Sequence, residues 1–172
     1  VDCNLRGIGQ VMFQDNPLSG LLFFIGIGWG SYVAGMPQVA VGGLVALVAG
    51  TLTAQWLRVD AAELGAGLYG YNAYLVGLAF GTFLAVSPMW WAYVALGGAV
   101  SVPATLGTAR VFKTWGVAAL TAPFVLTAWL FLLATYAFSA IDGSGLPMST
   151  VVVPIDPSAT SPLAFGDFVQ GI

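Results

Sequence analysis

Long apolar runs separated by short polar or Pro/Gly-marked junctions dominate this chain. A membrane-spanning helix needs ~20 mostly apolar residues, and five stretches meet that need. They run from about Leu18 to Ala34, from about Gln38 to Leu57, within Ala61 to Val86, from about Met89 to Thr108, and from about Val117 to Ala140. Met36-Pro37, Ser87-Pro88 and Gly143-Ser144-Gly145 are breaker or turn signals between or after them. Leu5 to Gln14 is apolar but too short to cross. It reads either as a re-entrant or tilted half-membrane helix or as an interfacial one. Within the third stretch, Gly65 to Gly77 mixes glycine, tyrosine and asparagine with apolar residues. Lipid gives backbone no hydrogen-bond partners, so such sequence at membrane depth is buried in protein or lines a cavity.

Composition agrees with this pattern. The 172 residues are 59% hydrophobic and 6% charged, where a soluble domain carries about 25% charged residues. The expected class is an all-α integral membrane protein. With no histidine, imidazole proton relays and imidazole metal sites are absent. The single cysteine, Cys3, excludes an internal disulfide and a cysteine metal cluster. No cofactor or metal is expected. A net charge of −3 argues against a nucleic-acid surface. Val1-Asp2-Cys3-Asn4 lacks the basic segment of a signal peptide, and a first residue other than Met fits a trimmed or processed chain.

Basic residues set orientation. With five crossings, Arg6, Arg58, Arg110 and Lys113 all fall on one side, the cytoplasmic side, and the amino terminus lies there too. The tail carries Asp142, Asp156 and Asp167 without Lys or Arg and falls outside. The chain divides into a membrane unit, 1–140, and an extracytoplasmic linker, 141–172. An odd number of crossings means that a tandem copy would insert upside down, the inverted-repeat arrangement common in transporters. Gln170-Gly171-Ile172 faintly echoes Arg6-Gly7-Ile8, and a second copy is expected to begin near there.

Charged residues are nearly absent from the apolar stretches, which argues against ion or proton coupling. A neutral polar solute would need oxygens along its path in place of water, and flat apolar walls. Gln10, Phe13, Tyr71, Asn72, Phe80, Thr121, Phe124 and Thr127 offer these groups. Each has a structural alternative. Phe80 and Phe124 also read as core or lipid-facing aromatics. Thr121 and Thr127 also read as bonded to the carbonyl one turn earlier. Tyr69, Tyr71 and Tyr74 also suit an interfacial aromatic belt, to which Trp90 and Trp91 are assigned. Asp60 and Glu63 read as a helix cap. Asp15-Asn16-Pro17 reads either as a plain helix start or as a helix end facing a pore.

Three motifs narrow the choice. Leu5-Arg6-Gly7-Ile8-Gly9-Gln10-Val11-Met12-Phe13-Gln14-Asp15-Asn16-Pro17-Leu18-Ser19-Gly20 resembles the entry motif of the urea transporter family. Gly67-Leu68-Tyr69-Gly70-Tyr71-Asn72-Ala73-Tyr74-Leu75-Val76-Gly77 resembles its second signature, and Leu120-Thr121-Ala122-Pro123-Phe124 with Thr127-Ala128-Trp129 a third. The resemblance covers Leu5 to Ala140 as one homologous half of a bacterial-type member. It implies a passive, channel-like urea conduit in the inner membrane, built from two inverted halves of five spans plus a tilted helix and assembled as a homotrimer. The implied filter is a slot with oxygens on its edges and aromatic and aliphatic walls. Carried onto this chain, the slot residues are Gln10 and the carbonyls around Val11, Phe13, Tyr71, Leu75, Phe80 and Thr121. Asp15 stands where the commoner motif has Asn, which changes the charge at the entrance.

The competing readings are weaker. An enzyme lacks acid–base and nucleophilic groups at depth. An ammonium or small-amide channel is the nearest rival, but ammonium pores are associated with histidine. A purely structural membrane subunit would not require the Gly-Tyr-Asn run.

Overall fold

The computed structural model describes residues 1–137 together with Ile141 and Gly143. These residues form α1 (Asp2–Gln10), α2 (Pro17–Val33), α3 (Gln38–Trp56), the single-turn α4 (Ala61–Gly65), α5 (Gly70–Phe83), α6 (Pro88–Lys113) and α7 (Ala122–Ala134), with a 3₁₀ turn at Thr135–Ala137. The described fold is all-helical. The expected linker, apart from Ile141 and Gly143, lies outside the described residues.

Local chemistry sets the helix starts. Asn16 caps α2 by accepting from Leu18 N at 2.8 Å, with Pro17 in the first turn where its missing N–H costs nothing. Ser87 and Pro88 repeat the device at α6, where Ser87 Oγ accepts from Trp90 N at 3.2 Å. Asp60 accepts from Ala62 N and Glu63 N to start α4. The expected third stretch is divided. The chain turns through Gly67 at φ +80°, and α5 begins three residues later. A side chain there would be both strained and within 2.3 Å of Gly7 N.

The core is a three-helix contact of α3, α5 and α6 made by small residues. A Cβ on Gly77 would lie 2.2 Å from Gly42 O, one on Gly98 2.3 Å from Ala46 O, and one on Gly50 2.5 Å from Ala73 Cβ. Pairing Gly77 with Gly42 and Ala73 with Gly50 makes α3 and α5 antiparallel. Small residues four apart let helix backbones approach where lipid supplies no hydrophobic drive. α1 packs beside the start of α2 and lies across the end of the bundle where α3 finishes and α5 begins. Gly7 sits against Gly67 and Gly70, and Thr51 Oγ1 donates to Asn4 Oδ1 at 2.7 Å. Arg6 pairs with Asp2 within α1 at 2.8 Å and ties α1 to the α2 entrance through Asp15 at 2.7 Å. These carboxylate hydrogen bonds, Asp2's first and then Asp15's, raise the guanidinium pKa above its ordinary value.

α3 and α6 are long and apolar enough to cross a membrane; α2 and α7 are shorter apolar helices. Large apolar side chains stand exposed on the outer helix faces, among them Leu22, Ile25, Trp29, Val48, Leu52, Leu96, Trp129 and Leu133. A bundle in water would hide such a surface. Trp90 departs from the interfacial position expected for it. It is fully buried, its Nε1 donating to Phe80 O at 3.2 Å, while neighbouring Trp91 is exposed. Its ring fits against Gly42, where only a glycine leaves room.

Candidate functional site

At the end of the bundle that carries α1 and α4, the helices leave a groove of about 370 Å³. Gln10 and Phe13 line one side, Glu63, Leu68, Tyr69 and Tyr71 another, and Thr105, Leu106 and Ala109 of α6 with Ala118, Ala119 and Leu120 a third.

Several backbone turns aim these residues. Phe13 has φ +57° and Leu120 φ +45°, left-handed values that cost a non-glycine residue on the order of 1–3 kcal/mol. The first turns the chain sharply after α1 and leaves the Phe13 ring 69% exposed. The second reverses the chain just before α7. Gln10 Nε2 donates to Ala66 O at 3.0 Å, which fixes its amide against the α4–α5 turn. Tyr71 Oη donates to Leu120 O, and Tyr69 Oη donates to Glu63 Oε2 at 2.5 Å.

Gln10, Phe13 and Tyr71 therefore meet in one groove. Thr121 is exposed immediately after Leu120, at the N-cap of α7, and makes no capping bond through its side chain. Leu75 is half-buried one turn beyond Tyr71, so it continues the same face of α5. Val11 packs against the cluster of Ile8, Leu47 and Tyr74. Phe80 is not in the groove. It is fully buried, stacked at a tilt on Tyr93 and Phe131 with ring centroids 5.4 and 5.6 Å away. Thr127 is buried with its hydroxyl unpartnered, unlike Thr53 and Thr105, which donate to the carbonyl one turn earlier.

The contribution of α6 is absent from the expectations, as is that of Glu63. Thr105 and Ala109 are four apart, hence on one face near the basic end, but nothing in their local sequence separates that face from an ordinary packing face. Asn72 was one of several polar candidates; its complete burial sets it apart.

Among the described residues all charged side chains are Asp2, Arg6, Asp15, Arg58, Asp60, Glu63, Arg110 and Lys113. They cluster on α1, α4, the turns beside them and the last turn of α6, at the groove's end of the bundle. The helices beyond carry none.

The fold and groove define a class: an all-helical chain whose apolar helices carry charge only in the last turn of α6 and whose polar groups open on one end. Comparison with known proteins gives the family. The family model described as "Urea transporter" matches residues 1–172. Urea transporter 1 of Rattus norvegicus and of Ovis aries are each 34% identical over 157 residues, 90% of this chain and 40% of the relative. Urea transporter 1 of Mus musculus is 33% identical over 156 residues, 88% of this chain and 39% of the relative. This chain belongs to the urea transporter family, a family of transporters rather than enzymes. It spans about two fifths of the length of the curated relatives it matches.

Proposed function

We propose that the chain is one half of a passive, channel-like conduit for urea in the cytoplasmic membrane. The relatives' name supplies the solute, and the observation that carries the passive reading is the charge-free interior of the bundle behind a groove of amide, phenol, hydroxyl and aromatic groups whose one carboxylate, Glu63, is bonded to Tyr69. Charged groups at depth mark ion and proton pathways; urea, neutral and planar, needs only oxygens and flat walls. In this reading the chain crosses five times with its amino terminus inside, and an inverted second half faces the surface of Gln10, Val11, Phe13, Tyr71, Leu75 and Thr121 across a slot. Phe80, buried in the aromatic cluster, supports that wall from behind. Three such protomers assemble, each with its own path.

Flux of labelled urea into liposomes holding the full-length protein tests the reading. Flux is expected to follow the urea gradient alone. Urea accumulating uphill under an imposed proton or sodium gradient would overturn it.

The orientation has its own test. In a cysteine-free background, Gly143→Cys in the full-length protein is expected to react with an impermeant maleimide from outside intact cells, and Arg58→Cys only after permeabilisation. The motive is the shared end of Arg6, Arg58, Arg110 and Lys113. Arg58→Cys labelled from outside while Gly143→Cys stays protected would invert the topology.

A further inference from the structure

Tyr71 and Asn72 are consecutive residues in the first turn of α5, and both side chains end on one atom, the carbonyl oxygen of Leu120. Asn72 is fully buried. Its Nδ2 donates to Leu120 O at 3.3 Å and, at the edge of bonding distance, to Thr105 Oγ1 at 3.5 Å. Its Oδ1 accepts from Phe124 N at 3.3 Å. Phe124 N is one of the first N–H groups of α7, which have no partner within their own helix. Thr121, in the cap position, leaves them unserved through its side chain. Asn72 thus caps α7 from another helix, and in doing so holds three elements, α5, α6 and α7, at one point. A primary amide donates to a carbonyl and accepts from an N–H at once; an ionised carboxylate offers acceptors alone.

The carbonyl it grips belongs to the left-handed Leu120, whose side chain lines the groove one residue before Thr121. That oxygen is held from α5 twice, by Tyr71 Oη and by Asn72 Nδ2, and only Asn72 also reaches α7. We propose that Asn72 is a positioning residue that locks the Tyr71 wall and the Leu120–Thr121 edge together as one surface facing the second half, and so sets how closely that surface meets a passing amide and which amides pass by size. The inference rests on the urea-conduit reading and adds to it the residue that holds this wall of the slot in place.

The test uses the full-length protein in liposomes, with entry of urea and of N,N′-dimethylurea measured side by side for wild type, Asn72→Ala and Asn72→Asp. Asn72→Asp keeps the shape and the acceptor for Phe124 N but loses the donor to Leu120 O. Both variants are expected to lower the urea to dimethylurea ratio at least threefold while eluting as wild type on size exclusion. An unchanged ratio, with both fluxes normal or both reduced in proportion, would overturn the proposal. Failure of both variants to fold would do the same, because Asn72 would then be a stability residue only. Wild-type protein that passes no urea would instead sink the conduit reading itself, and is seen before any variant is compared.

Discussion

Gly77→Val is expected to destabilise the bundle severely. The new Cβ alone would stand 2.2 Å from Gly42 O and 2.7 Å from Ala46 Cβ, and the nearest of these is backbone that has no rotamer to change. α3 would have to retreat from α5. That movement is not local, because α3 also meets α6 backbone to backbone at Gly98, where the clearance for a Cβ is 2.3 Å from Ala46 O. Ordinary overpacking costs ~1–3 kcal/mol, and parting two helix pairs should exceed it. Since ~1 kcal/mol moves Tm by ~2–8 °C depending on domain size, a fall of about 10 °C or more in detergent, or loss of monodisperse protein, is expected. Gly107→Ala is the control. It lies in the same kind of helix with nothing within 4 Å of its Cβ, and relief of glycine's conformational freedom should leave it neutral or stabilised by up to ~1 kcal/mol. Equal melting of Gly77→Val and Gly107→Ala would remove close approach as the basis of the core.

Glycine spacing shows how far the sequence carries. Gly42, Ala46 and Gly50, and Ala73, Gly77 and Gly81, are four apart in apolar runs, and that pattern already announces close helix packing. Pro17 after Asn16, and Pro88 after Ser87, likewise mark the starts of α2 and α6 without further help. Other features depend on partners far away in the chain. Gly67 reads as one more small residue until Gly7 of α1 is seen to occupy its Cβ position, which is why the third stretch divides there. Trp90 has the composition of an interfacial residue, and only the space beside Gly42 and the Phe80 carbonyl draw it inside. Phe80 shows the same ambiguity. An aromatic residue in an apolar helix suits a wall or a core equally, and its contacts with Tyr93 and Phe131, 13 and 51 residues onward, decide for the core.

The candidate site divides along the same line. Gln10, Phe13 and Tyr71 lie in motifs whose residue types already fit a polar path, and the groove gathers them. What holds them was hidden. The left-handed turns at Phe13 and Leu120 occur at residues with no intrinsic preference for φ > 0, so no local signal precedes them. The Phe13 turn is closed locally, Gln14 N donating to Gly9 O, whereas the Leu120 turn is held by tertiary bonds, that from Asn72 to Leu120 O spanning 48 positions.

Thr121→Val is expected to cut urea flux about fivefold to tenfold without lowering stability. The two halves of that statement have separate causes. A threonine at a helix N-cap ordinarily accepts from a first-turn N–H, and losing it costs ~1 kcal/mol of stability. Thr121 makes no such bond, and the N–H of Phe124 is served by Asn72 instead. The hydroxyl is therefore dispensable to the fold, and Thr121 is exposed directly after Leu120, the last lining residue of the groove, without lining the groove itself. Valine keeps the branched shape and removes only the oxygen. If that oxygen replaces one water as urea passes, its loss raises the barrier by ~1 kcal/mol, and each ~1.4 kcal/mol is tenfold in rate. Liposome flux of urea and a thermal melt in detergent, both on the full-length protein, read the two halves independently. A lowered Tm with flux reduced in proportion to folded protein would return Thr121 to a capping role. Wild-type flux from a protein of wild-type Tm would take its hydroxyl off the urea path.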